Sequence, residues 1–438
     1  MKRYILLGAL TISFAIQASA QKELFLTQDE CRKLALQRNE ELQQASNALQ
    51  QAKLDKDIAF SAYLPKLDGM VSGTYMFPDM DMMGMELQMH GMYLAGISIM
   101  QPLYAGGKII AGNKLARIGK ESAAEKLRKT RMEVAAEADK TYWNYIAVRQ
   151  KVRMLEAYQT QMDTLYRQAE TAVKAGMGTD NELLRINAKR SEISYQLQKA
   201  RNGADLCRMA LCHTLGEPFD THPVPVDTLI RVTAPTRLDE SIALRPELKL
   251  LQQQVAAREQ QVKVARGDIL PQIGLSAGYA YYGNIKLNGM TADAQGNYLP
   301  FTQKLDDGIG LVMASVSLPI FHWGEGLKKI KKAKLDLQNA QLDLQRNTRL
   351  LNIETRQAIQ NLTDGYNLVQ TAESGSDQAK ENLRVMRDRY SNGLSTLTDL
   401  LDAQSQWQQA ESNRIEALTQ YKIYETEYLR CTGQLLNN

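Results

Sequence analysis

Proline, histidine and cysteine are all scarce in this chain of 438 residues, which holds 11, 4 and 4 of them. Four scattered histidines leave little material for acid–base catalysis. No nucleotide-binding glycine loop, nucleophile elbow or paired metal-ligand spacing accompanies them. No enzyme and no cofactor are therefore expected. Cys31, Cys207, Cys212 and Cys431 lack a C-x-x-C spacing and read as small packing residues, with a disulfide between distant members left open. Charge of one sign is lacking too: 53 Lys+Arg stand against 49 Asp+Glu, so no electrostatic footprint for nucleic acid is present. Beyond the first 20 residues no apolar run approaches the ~18–20 residues of a membrane-spanning helix. A content of 23% charged and 44% hydrophobic residues also excludes a disordered chain.

The one apolar run is N-terminal. Lys2 and Arg3 precede Ile5 to Ile16, and Ala18-Ser19-Ala20 supplies an A-x-A cleavage site before Gln21. Residues 1–20 read as a signal peptide, so the mature protein is expected outside the cytoplasm. The first cysteine, Cys31, lies beyond the cleavage point, and no lipid anchor is expected there.

The prolines are unevenly placed. None occurs in 103–217 or in 320–438, and both stretches are rich in Gln, Ala, Leu, Glu, Lys and Arg. Proline breaks helix interiors, so exclusions of this length predict very long helices. The two stretches also match each other. A shift of 217 pairs Pro102 with Pro319, Gly107 with Gly324, Lys114 with Lys331, Gly176 with Gly393, Thr179 with Thr396 and Gly216 with Gly433. A shift of 206 pairs Glu41-Leu42 with Glu247-Leu248, Leu64-Pro65 with Leu270-Pro271 and Tyr75 with Tyr281. The chain is an internal duplication, with one insertion between the Leu-Pro and the next proline of each half.

That interval changes periodicity. Ile273, Leu275, Ala277, Tyr279 and Tyr281 alternate with small or polar residues, and Val312, Ala314, Val316 and Leu318 do the same. Period-two alternation bounded by Pro and Gly predicts strands joined as hairpins, at about 66–77 and 92–101 in the first half and 272–283 and 309–318 in the second. Their length suits a tilted membrane-spanning strand with a polar lumen face and a lipid face. A soluble hairpin domain capping a coiled coil is the alternative.

Gly107 to Val173 and Gly324 to Tyr390 predict helices of roughly 100 Å at 1.5 Å per residue. Leu362, Tyr366, Val369, Ala372, Ser376, Ala379, Leu383, Met386 and Tyr390 recur at coiled-coil spacing. Each helix meets a glycine-bearing break and a returning helix, giving helical hairpins at about 105–215 and 322–433. Gly176 and Gly393 suit a C-cap needing positive φ, and Thr179, Ser395 and Thr396 can N-cap the helix that follows.

On the duplicated Leu-Pro-hairpin-Pro pattern, the paired long helices and the G-x-x-T-x-x-D-L-L-x-A-Q tip of the second half, the chain resembles the TolC family of outer-membrane efflux and secretion channels. The resemblance covers essentially all of the mature sequence. It implies a mostly α fold with a β part: duplicated long antiparallel helical hairpins plus four membrane strands per protomer. In a homotrimer these form one helical tunnel and a shared 12-stranded β-barrel, in the outer membrane of a Gram-negative bacterium with a large periplasmic part. The organisation expected is a first repeat at 21–216, a linker or mid-tunnel belt at 217–237 and a second repeat at 238–438.

The resemblance also implies roles. Asp399, Asp402 and Glu182 would ring the pore entrance, where negative charge favours cations. Tyr390 matches a tyrosine of the closed gate, whereas Ser395 stands where some members carry a latch arginine. The tips Gly176, Met177, Gly178 and Thr179, with Gly393, Leu394, Ser395 and Thr396, would meet a periplasmic adaptor protein. The adaptor would couple the channel to an inner-membrane exporter of RND or ABC type. The other class, a structural periplasmic coiled-coil or adaptor protein without a pore, is disfavoured by the duplication and the two strand pairs. One feature lies outside the resemblance: Met80, Met82, Met83, Met85 and Met89 crowd the first hairpin with His90. Thioethers suit soft ions such as Cu(I) or Ag(I), and packing of a flexible apolar loop is the plainer account.

Overall fold

The structure, a computed structural model, describes residues 23–82, 84–227, 230–294 and 297–436. The signal segment expected at 1–20 and Met83 lie outside the described residues. In chain order the elements are β1 (Glu23–Leu26), α1 (Gln28–Arg38), α2 (Glu40–Ser61), β2 (Lys66–Tyr75), β3 (Met80–Met82), β4 (Met85–Gln88) and β5 (His90–Ala105). There follow α3 (Lys108–Lys174), α4 (Asp180–Leu215), β6 (His222–Pro225), α5 (Pro246–Gly267), β7 (Gln272–Ala292), β8 (Tyr298–Ser317), α6 (Glu325–Ser391) and α7 (Leu397–Thr432). The proline-free stretches are thus two helical hairpins, with α3 and α6 of 67 residues each and α4 and α7 of 36 each. Gly216 and Gly433 close α4 and α7 in the left-handed conformation, at φ 65° and 77°, which glycine adopts without a Cβ penalty. No described helix is long and apolar enough to cross a membrane.

The chain forms two compact units, and each draws on both sequence halves. One contains the chain up to Gln43, Thr130–Leu244 and Asn352 onward; the other contains Gln44–Lys129 and Arg245–Leu351. In the first unit, the coiled-coil seam is the core. Tyr158, Met162, Leu165, Ile186 and Ile193 of the first hairpin pack with Leu383, Leu397, Leu400 and Ala403 of the second. A separate cluster joins Leu26, Cys31 and Ala35 to Ala138, Tyr142, Ile146 and Leu211. There β1 pairs in parallel with β6, Leu24 opposite Pro223. The Tyr142 hydroxyl donates to the Leu26 carbonyl at 3.0 Å and to Asp227 at 2.8 Å. Arg32 forks onto Asp139 at 2.7 and 2.6 Å, and the Thr426 hydroxyl donates to the same carboxylate at 2.8 Å. The proline-rich segment is not a bare linker, since Ile230 and Val232 pack on the α6–α7 cluster and Thr233 O accepts from Tyr421 at 2.5 Å. Cys31, Cys212 and Cys431 are buried thiols, as packing residues should be.

In the second unit the strands form one antiparallel sheet in the order β2-β5-β7-β8, with β4 paired to the far part of β7 and β3 paired to β4. The register sorts the faces, because paired residues share a side. Leu67, Ile99, Ala277 and Val312 form one row across the sheet, and Gly69, Ile97, Tyr279 and Gly310 the next. The opposite side carries Asp68, Ser98, Gly278 and Leu311 in one row, with Ser72, Leu94 and Tyr282 in another. One face is therefore continuous apolar and aromatic surface, while the other is mixed and polar.

β7 runs on to Ala292 past the expected 272–283 and β8 starts at Tyr298, well before the expected 309–318, so that far less of the chain lies between the two strands than expected. The reason is a bulge between Tyr282 and Ile285. Asn284 there takes φ 61°, its amide donates to Asp306 at 2.6 Å and its side chain donates to the His90 carbonyl at 2.8 Å. Pairing then resumes with Leu287 opposite Gln303. The expected strand at 66–77 ends at Tyr75, and that at 92–101 spans 90–105.

A close approach occurs where β5 turns into α3. Gly106 has φ 60°, and a Cβ on it would stand 2.5 Å from the Gly267 carbonyl oxygen, so glycine is required for both backbone and space. Its repeat counterpart, Trp323, holds the same left-handed conformation at φ 51°.

Candidate functional site

The helical tips bring most of the expected residues together. Gly176 and Gly393 end the outgoing helices at φ 71° and 72°. Met177 N and Leu394 N each donate 2.8 Å back to Ala172 and Arg389 carbonyls, which closes each turn and leaves Met177 and Leu394 exposed. Gly178 packs near Val173.

Both returning helices begin with a capping box. The Thr396 amide and hydroxyl donate to Asp399 Oδ2 at 3.0 and 2.7 Å, and the Asp399 amide donates back to Thr396 Oγ1 at 3.2 Å. In the first hairpin the Thr179 amide donates to Glu182 Oε2 at 3.3 Å. Two of the three acidic residues expected at a pore entrance thus also hold helix N-termini. The Thr396 hydrogen bonds keep the Asp399 carboxyl below its ordinary range, with a smaller contribution from Arg389.

Because this folded-state value is depressed, the cap contributes stability above the unfolded aspartate range and loses it as pH falls through the lowered value. Acidification to that range is expected to speed amide exchange in the first turn of α7. Thr396→Val should produce the same loosening already at neutral pH. Hydrogen exchange followed residue by residue checks this; equal protection in both proteins at pH 7 would remove the cap.

Asp402 has no such task. It is exposed and borders two grooves, one of about 320 Å³ with Arg185, Lys189 and Thr398, the other of about 350 Å³ with Met386, Arg389 and Asp399. Tyr390 is half-buried against the Leu383–Leu397–Leu400 cluster, and burial, then the charge of Glu182, pushes its phenol up. The Ser395 hydroxyl donates to the Met386 carbonyl at 3.5 Å.

Two cations at the tips escaped sequence reasoning. Arg389 donates to the Leu394 carbonyl at 3.3 Å and lies near Asp399, so a guanidinium is present although position 395 carries serine. Arg185 donates to Thr398 Oγ1 at 2.7 Å and ties the first tip to the second. Nothing in the sequence marks these two among many arginines. The capping boxes did carry a signal, the T-x-x-D and T-x-x-E spacings.

At the first strand hairpin, Met80 stands opposite Leu87 and Met82 opposite Met85. His90 Nε2 lies 2.8 Å from Asp79 Oδ1, and its ring stacks on Tyr75 at 4.8 Å. Met85 packs near Gly289, and Met89 contributes its carbonyl to the Met76 amide at 3.2 Å. The histidine is thus engaged by an acid and a ring.

Comparison with known proteins agrees with this architecture. Alkaline protease secretion protein AprF of Pseudomonas aeruginosa is 22% identical over 323 residues, which are 71% of this chain and 63% of AprF. Outer membrane protein TolC of Escherichia coli is 23% identical over 309 residues, 66% of this chain and 60% of TolC. The chain thus aligns with about three-fifths of the length of these curated relatives. Among solved structures, the Campylobacter jejuni CmeC outer membrane channel superposes with a TM-score of 0.78 at 20% identity, covering 93% of this chain and 86% of that one. The fold is that of TolC-like proteins. The family model described as outer membrane efflux protein matches residues 31–211 and 238–434. The chain therefore belongs to the outer membrane efflux protein family, a family of transport proteins rather than enzymes, located in the outer membrane of Gram-negative bacteria.

Proposed function

We propose that this chain is the channel subunit of a tripartite efflux or secretion system. Three copies would supply four strands each to one barrel and their helices to a periplasmic tunnel. The channel is passive; an inner-membrane exporter of RND or ABC type supplies the energy through a periplasmic adaptor. The observation that carries this reading is the set of four long strands β2, β5, β7 and β8, whose register gives one continuous apolar face and one mixed polar face. A closed barrel needs such strands in lipid, because every backbone group must be paired and the outer face must be apolar. A pore-free coiled-coil protein has no use for an apolar sheet face left exposed to this extent.

Asp402 and Asp399 would set the cation preference of the periplasmic entrance, with Glu182 adding charge from the first hairpin. Tyr390 and Arg389 belong to the gate, and adaptor docking would shift the tip helices between two packed states. The exposed Met177 and Leu394 would meet the adaptor. A photo-crosslinking residue at Leu394 in intact cells is expected to capture a periplasmic protein with a coiled-coil hairpin. Capture of none, from protein correctly placed in the outer membrane, would remove the tips from the partner interface.

A further inference from the structure

The start of α6 carries five lysines within seven positions, Lys328, Lys329, Lys331, Lys332 and Lys334, all exposed. Lys329 pairs with Glu325 at 2.7 Å. Lys328, Lys331, Lys332 and Lys334 have no carboxylate partner among the described residues. Local helix physics gives no reason for this crowding. Lys328 and Lys332 are like charges at i,i+4, which oppose the helix, and a helix N-terminus favours anions over cations.

The residues just before them are equally unusual. Ile320, Phe321 and Trp323 are exposed, Trp323 at 85%, with the two rings 5.1 Å apart. Trp323 holds φ 51°, a conformation that strains a bulky residue and that its repeat counterpart meets with Gly106. Neither packing nor backbone preference selects tryptophan here, whereas a membrane–water boundary does.

The order along the chain is then informative. The apolar face of β8 ends at Val316, Leu318 and the aromatic pair follow, and the lysines come next. Hydrocarbon, interface and phosphate headgroups succeed one another in the same order across a leaflet. At 1.5 Å per residue the lysines lie roughly 5–15 Å into α6, on the scale of the ~5–8 Å headgroup layer.

We propose that Phe321, Trp323, Lys328, Lys331, Lys332 and Lys334 form a collar that binds anionic phospholipid headgroups at the helical side of the barrel. The aromatic rings set the depth, and the ammonium groups receive phosphodiester oxygens. The repeat offers a weaker version, since Lys114 and Arg117 match Lys331 and Lys334, and Arg117 is already paired with Glu121 at 3.6 Å. This inference rests on the barrel reading above.

The test reconstitutes the full chain into vesicles of phosphatidylethanolamine with one-fifth phosphatidylglycerol, then counts co-purifying lipids by native mass spectrometry. A several-fold enrichment of phosphatidylglycerol over the vesicle ratio is expected. It should fall to that ratio when the four unpaired lysines become glutamine. It should persist when Lys33, Lys199 and Lys380 are changed to glutamine instead. No enrichment in the unaltered protein, or enrichment that survives the fourfold change, overturns the collar. If the fourfold variant falls apart into single protomers and the unaltered protein shows no enrichment, the lysines serve a second copy of the chain and the collar is overturned. A protein stripped from vesicles by alkaline wash would overturn the barrel reading itself, while an inserted protein without enrichment overturns the collar alone.

Discussion

Replacing Arg32 by alanine is expected to destabilise the folded protein by about 3–5 kcal/mol, the cost of removing one partner of a buried ion pair. Asp139 is 0% exposed and accepts from two of the three guanidinium nitrogens of Arg32, Nε and Nη2, and from the Thr426 hydroxyl. Alanine would leave the carboxylate in the interior with one neutral donor. The Arg32 side chain keeps 18% exposure, so some water can reach the vacated site and the lower end of the range is expected. Burial works against the Arg32 charge, but its hydrogen bonds to Asp139 outweigh that, and its pKa lies above the ordinary value.

The pair holds α1 to α3, and through Thr426 to α7, so its loss loosens three elements at once. Lysine should restore little, because a point charge cannot reproduce the two-pronged contact. Guanidinium unfolding of Arg32→Ala, Asp139→Ala and the double variant checks the account. The double variant should be more stable than the sum of the single losses predicts. Strict additivity, or an Arg32→Ala midpoint equal to that of the unaltered protein, would contradict it.

Arginine at position 312 is expected to cost about 2–4 kcal/mol of insertion free energy, and arginine at the adjacent position 313 far less, because the two positions sit on opposite faces of the sheet. Val312 is 74% exposed and shares the apolar face with Ala277, while Met313 is 51% exposed and shares the other face with Ser276. Single-residue alternation makes this contrast sharp, since neighbours along a strand point to opposite sides. Both residues lie in the middle of the stretch between the Gly308 row and Leu318, which the proposed barrel would set near the bilayer midplane. Val312→Arg would place a guanidinium in hydrocarbon, and Met313→Arg would place one in a wet lumen. The folded fraction in lipid vesicles against urea measures the difference. Val312→Arg should insert poorly, and Met313→Arg should insert well but conduct differently. The reverse ranking would exchange the two faces.

Much of this architecture was legible in the sequence for identifiable reasons. Proline cannot sit inside a helix, so its absence from 103–217 and 320–438 announced α3, α4, α6 and α7. Gly176 and Gly393 marked turns because their positive φ excludes most other residues. Alternation across Ile273–Tyr281 located β7, since a sheet with one apolar face has no other period. Beyond Tyr282 the signal failed, because the Asn284 bulge shifts the alternation by a step and a polar stretch then reads as loop.

Long-range pairings were invisible for a different reason. The β1–β6 ladder joins segments 199 residues apart, and the Arg32–Asp139 pair spans 107. Nothing local distinguishes those strands or charges from surface ones. At the tips, the duplication placed Glu182 opposite Asp399, and the capping boxes explain why both repeats carry an acid there. Asp402 lies one helical turn further on, free of that duty, which is why the proposed entrance charge is assigned to it first.

The most direct test of the central claim is ion conductance through the purified, reconstituted protein in a planar bilayer. The account predicts discrete cation-selective conductance steps that trivalent cations block from the helical side. Asp402→Ala is expected to weaken both selectivity and block, and combining it with Asp399→Ala to weaken them further. Protein firmly inserted in lipid that produces no conductance steps, or steps whose selectivity ignores both aspartates, would contradict it.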